Sequence, residues 1–139
     1  MAVFLNNKVG VKINSVDLSD HVKSVTLNRQ FNELEITAMG DTAQRFTKGL
    51  ENSTFTVSFL NDDATGSVLA TLQDQWGKTC AVSMLQDKGT AISATNPLYT
   101  FQILVNKTTD INGATGDIST QDITFTVNSA VTVSPTGTF

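Results

Sequence analysis

Residues 31–60, FNELEITAMGDTAQRFTKGLENSTFTVSFL, carry two apolar–polar alternations, and that period of two constrains the fold more than any other feature of the chain. Leu34, Ile36 and Ala38 fall on one side of an extended segment, and Glu33, Glu35 and Thr37 on the other. Phe55, Val57 and Phe59 then alternate with Thr54, Thr56 and Ser58. Each run predicts a strand with one apolar and one wet face, as in an antiparallel sheet covered on one side. The connection over 39–52 is far longer than a hairpin needs, and reads as a long inter-strand loop. It carries Phe46 between the cations Arg45 and Lys48, a combination suited to docking on a partner rather than to bulk water.

The same period recurs along the chain. Val9, Val11 and Ile13 alternate with Lys8, Gly10 and Lys12, the lysines marking an edge-type strand. Turn formers occupy 14–20, and His21–Asn28 resumes an extended pattern in which Val22 is out of phase with Val25 and Leu27, predicting a bulge near Lys23 or Ser24. Val68, Leu69, Leu72 and Trp76 repeat at helical spacing, so one α-helix is expected over about 64–76, with Asp62 and Asp63 capping its start, Trp76 in the core and Gly77 ending it. Further strands are expected at 79–85 with Cys80, Val82 and Met84 inward, at 98–106 with Tyr99, Phe101, Ile103 and Val105 sharing a face, and at 122–128. Val131 and Val133 continue the last of these weakly, and 134–139 reads as a C-terminal tail. The expected fold is therefore mainly β: seven to nine strands forming a β-sandwich or barrel of two packed antiparallel sheets with one flanking helix, in a single domain over 1–139.

Composition excludes several functions. Hydrophobic residues make up 40% and charged residues 16%, which describes a globular chain with a neutral, hydroxyl-rich surface. Nine Lys and Arg against 13 Asp and Glu give a net charge of −4 with no basic run, against a nucleic-acid grip of the usual kind. The lone Cys80 cannot form an internal disulfide and reads as a small buried hydrophobe. The start, MAVFLNNKVGVKI, has too short an apolar run for a leader, and no segment is long enough for a membrane helix, so no membrane insertion is expected.

No enzyme is expected. The single histidine and single cysteine lie far apart, and neither GxSxG, HExxH nor a glycine-rich phosphate loop occurs. Asp17, Asp20 and His21 are the best metal candidates, yet they are better read as turn residues, and no metal or cofactor is expected. What remains is an assembly surface: unpaired sheet edges are a hazard in a monomer but building blocks when copies join head to tail.

Val16-Asp-Leu-Ser-Asp-His-Val, Ile36-Thr-Ala-Met-Gly-Asp-Thr, Gly49-Leu ahead of Phe55-Thr-Val-Ser-Phe, and Ser93-Ala-Thr-Asn-Pro-Leu-Tyr, in that order and spacing, resemble the major tail tube proteins of long-tailed, non-contractile bacteriophages. The resemblance spans roughly residues 10–127. It implies a β-sandwich subunit, similar to the tube proteins of contractile tails and type VI secretion, that forms hexameric rings stacked into a hollow virion tail tube. The DNA genome would pass through that tube on ejection, and tape measure and terminator proteins would be further partners. It also implies that Asp41, Arg45, Phe46 and Lys48 contact the adjacent ring, and that the outside is undecorated, since no immunoglobulin-like domain is appended.

A barrel of roughly 24 strands, about four per subunit, spaced near 4.8 Å and tilted as barrels are, has a backbone diameter around 40 to 50 Å. A duplex still passes, and a basic wall would hold its phosphates whereas an acidic one lets it slide. Glu33, Glu35, Thr54, Thr56, Ser58 and Asp122, on wet strand faces, are accordingly expected to line the lumen. Two alternatives stand beside the tube: a terminator or adaptor that makes one ring, and a non-viral β-sandwich binding module.

Overall fold

In the computed structural model the described residues are 8–139, so the leader expectation for the first seven residues lies outside them. The described residues are mainly β, with two antiparallel sheets and a single α-helix, consistent with the expected β-sandwich. The strands are β1 (Gly10–Ile13), β2 (Val16–Asp17), β3 (Val22–Asn28), β4 (Phe31–Glu35), β5 (Phe46–Glu51), β6 (Thr54–Leu60), β7 (Thr79–Leu85), β8 (Leu98–Leu104), β9 (Thr120–Val127) and β10 (Thr132–Ser134). Helix α1 spans Val68–Asp74.

Eight strands form the larger sheet in the order β2-β1-β7-β8-β9-β6-β3, with β10 added to β8. The junction of β8 and β9 is short, only Ile103 opposite Val127 and Leu104 opposite Thr126, and β10 takes over the rest of that β8 edge. The sheet folds at this seam. Its two halves face each other, and Phe55 of β6 meets Phe101 of β8 edge to face at 5.3 Å while stacking on Phe125 of β9 at 6.1 Å. The alternation explains the core: Val11, Ile13, Phe55, Val57, Phe59, Val82, Phe101, Ile103, Ile123 and Phe125 are buried from strands on both halves. Cys80 is buried with them, and desolvation raises its thiol pKa, consistent with a packing role. The expected bulge lies between Val22 and Ser24.

Several expectations need correction. Residues 39–52 are not an open loop, because β5 lies within them and pairs back on β4 to make the second, two-stranded sheet. The Leu34–Ile36 side of the first alternation is correspondingly exposed and covers no core. The helix is shorter than 64–76. Asp62 accepts the amide of Ala64 at 2.9 Å in the turn before it, while Ser67 stands at the N-cap. Val68, Thr71 and Leu72 carry the buried stripe. Trp76 falls beyond the helix end, where Gly77 at φ +74 turns the chain to bond Val105, and the indole is 54% exposed rather than in the core. The C-terminal tail returns to the body, with the Phe139 ring against Gly10 and the Lys12 ammonium 4.7 Å from its centroid.

Candidate functional site

Two surfaces stand out. The first is the β4–β5 arm, which leaves the body after Asn28 and returns at Thr54, two residues that are themselves paired across β3 and β6. Its root is clamped: Asn52 donates its amide to Gln30 O at 2.8 Å, and the Glu51 carboxylate accepts the Val131 amide and the Ser53 hydroxyl, each at 3.1 Å. Midway, Gly49 lets the strands approach, since a Cβ there would meet the Asn32 carbonyl oxygen at 2.9 Å.

The register fixes what each face presents. Glu33 lies opposite Lys48 and Glu35 opposite Phe46, on the face where the Lys48 ammonium sits 4.9 Å over the Phe31 ring. Leu34 lies on the reverse face opposite Thr47. Phe31, Leu34, Ile36, Met39, Phe46 and Leu50 are all exposed, so the arm shows apolar side chains on both faces. The tip is ordered by its own bonds. Asp41 accepts the Ala38 amide at 2.8 Å and lies 3.7 Å from the Arg45 guanidinium, while Thr37 Oγ1 accepts the Arg45 amide at 2.8 Å. Of the four residues expected to contact a neighbour, Phe46 and Lys48 project from one face, Arg45 is exposed at the tip, and Asp41 is engaged in shaping that tip.

The second surface is the outward face of β3, β6 and β9. Thr26, Thr56 and Thr124 stand in one row across the strands, Ser24, Ser58 and Asp122 in the next, and Asn28, Thr54 and Thr126 in a third. Thr56 and Thr124 share a hydroxyl hydrogen bond of 3.1 Å, and the Ser58 hydroxyl donates to the Asp122 carboxylate. The wall is thus one carboxylate among neutral donors and acceptors. Thr54, Thr56, Ser58 and Asp122 lie together on this face. Glu33 and Glu35 are not part of this wall, because β4 pairs with β5 and carries them onto the arm.

The turn cluster resolves into separate contacts. Partial burial alone would raise the Asp17 pKa, but the Lys88 ammonium at 2.5 Å and the Ser19 hydroxyl and amide hold it below the ordinary carboxylate value. His21 instead meets Asp62 at 2.8 Å. The Ala64 amide is the main cause that lowers the Asp62 pKa. Among the described residues no group of three such side chains could hold a metal ion, and no helix is long and apolar enough to cross a membrane.

Two buried polar clasps were not legible in the sequence. Asn96 accepts the Asp87 amide at 3.1 Å and donates to the carbonyls of Asp87 and Thr90 at 3.0 and 3.1 Å, closing the β7–β8 connection. Gln121 accepts the Thr109 amide at 2.9 Å and donates to Asn61 at 2.7 Å, tying down the connection into β9. Only the Asn-Pro turn signal pointed toward the first, and nothing local marks the second. No protein-family model matches the chain, and no curated protein matches it.

Proposed function

We propose that this chain is a structural subunit that assembles head to tail into stacked rings, hexameric by the resemblance, forming the hollow tail tube of a non-contractile, long-tailed bacteriophage. Double-stranded DNA passes through the tube without being gripped, and tape measure and terminator proteins meet its ends. On this reading the subunit is made in the bacterial host and resides in the virion tail, with no catalytic role.

The observation that carries the proposal is the arm. The body already has a complete core, so six exposed apolar side chains on a clamped, internally paired hairpin have no use within one copy. They gain stability only when a neighbour covers them. β3 adds to this, since among the described residues it ends the strand order and its seven-residue outer edge pairs with no further strand. Arm and open edge are different surfaces, and a contact between unlike surfaces propagates into rings or filaments. The wall of β3, β6 and β9, with Thr54, Thr56, Ser58 and Asp122, is the face proposed to look into the bore. Its hydroxyls offer phosphates no fixed positive charge.

Negative-stain microscopy of the purified chain tests this. Tubes or stacked rings are expected. A single ring at every concentration favours the terminator or adaptor reading, and monomers at high concentration refute self-assembly.

A further inference from the structure

The arm needs an acceptor, and the described residues of the body hold a surface that fits it. Where the two halves of the sandwich part, the side chains of β3 that face inward are incompletely covered. A cleft of about 480 Å³ opens there, lined by Val9, Val25, Leu27, Met84 and Tyr99, with Arg29 among its lining residues. Its volume is in the range, about 300–1,000 Å³, of clefts that bury a drug-sized ligand, so an aromatic ring with its neighbours can enter it. Val9, Val25, Leu27 and Tyr99 are only partly buried against the core, so filling the cleft removes more of their surface from water.

The geometry points to this cleft as the receptor for the arm of a second copy of the chain, with the Phe46 ring entering between Leu27 and Tyr99 and Glu35 pairing with Arg29. The inference rests on the self-assembly reading and specifies its contact. Complementarity in kind supports the match. Phe46 and Glu35 are cross-strand partners on one face of the arm, an aromatic ring beside a carboxylate, and the cleft offers an apolar wall beside a guanidinium. The occupant cannot be the same copy's arm. Arg29 lies at that arm's root, and six residues of extended chain carry Glu35 and its partner Phe46 roughly 20 Å outward, held straight by the pairing with β5. Arm and cleft are distinct surfaces, so each copy both gives and receives, which is how a contact propagates.

Charge reversal and a designed crosslink test the inference. Arg29, Glu35 and Phe46 are all exposed, so changing them leaves folding intact. Arg29→Glu and Glu35→Arg are each expected to raise the concentration needed for assembly at least tenfold, and the double variant to restore it to within about threefold of the parent. In a second protein, Arg29→Cys with Phe46→Cys under mild oxidation is expected to give a ladder of covalently linked chains. If the double charge variant assembles no better than the singles and the cysteine variant yields no ladder while the parent still forms tubes, the cleft is not the receptor and self-assembly stands. If the parent itself stays monomeric, both readings fall.

Discussion

Replacing Phe31 and Phe46 together with serine separates assembly from folding, and the size of the effect follows from their exposure. The two rings are 49% and 51% exposed in the single copy. Fully burying a phenylalanine side chain contributes about 1.5–3 kcal/mol, so covering the remaining half contributes about 0.7–1.5 kcal/mol per ring. Losing both weakens each contact by about 1.5–3 kcal/mol, roughly 10- to 100-fold at 1.4 kcal/mol per factor of ten. The folded monomer loses little: the Lys48 contact over Phe31 contributes about 0.5–1 kcal/mol, which corresponds to a Tm change of about 4 °C or less. Phe55→Ala is the contrasting control. That ring is fully buried between Phe101 and Phe125, and its removal costs about 3–5 kcal/mol of monomer stability. The assay pairs light scattering across a dilution series with thermal unfolding in dilute protein. An unchanged assembly threshold in the double serine variant, or a Tm loss as large as that of Phe55→Ala, refutes the assignment of these rings to a contact between copies.

Other predictions follow from single residues. Asn96→Ala strands the Asp87 amide and two carbonyls in a buried site and is expected to cost about 1–3 kcal/mol in urea unfolding, whereas a loss below about 0.5 kcal/mol, the level of an ordinary surface substitution, means the clasp is not needed. Because the Asp17 pKa is lowered on folding, its contribution is fully present above the ordinary value of 3.8 and is lost as pH falls through the lower folded value. Asp17→Asn is therefore expected to flatten the acid limb of the stability curve between that ordinary value and the lower folded one, and an unchanged limb contradicts the Lys88 contact in solution. Asp122→Lys puts a cation on the hydroxyl wall and is expected to leave tubes intact while slowing DNA ejection from virions; unchanged ejection kinetics place the wall outside the bore.

Strands β6, β7, β8 and β9 were readable because each has one buried face, so period two in sequence maps directly onto burial. The bulge at Val22–Ser24 was readable for the same reason, as a break in phase. The arm misled for a physical reason. Its strands have no buried face, so Leu34 and Ile36 mimic a core stripe although they cover nothing, and Phe46–Glu51 lacks an alternation that would mark it as their partner. The grouping of Glu33 and Glu35 with Thr56 and Asp122 failed with it, since a strand's wet face says nothing about which sheet it joins. Trp76 misled because helical spacing runs on past the point where the chain turns at Gly77. Asn96 and Gln121 were hidden for another reason: their partners are backbone groups and distant side chains, which leave no local pattern.

The central claim is that the exposed arm of one copy is covered by another, and hydrogen exchange read on the arm peptides as a function of protein concentration tests it most directly. The account predicts that amides of residues 31–51 exchange quickly in dilute protein and gain protection above the assembly threshold, while the β6 and β9 amides stay protected throughout. Arm amides that exchange at the same rate in dilute and concentrated protein contradict it.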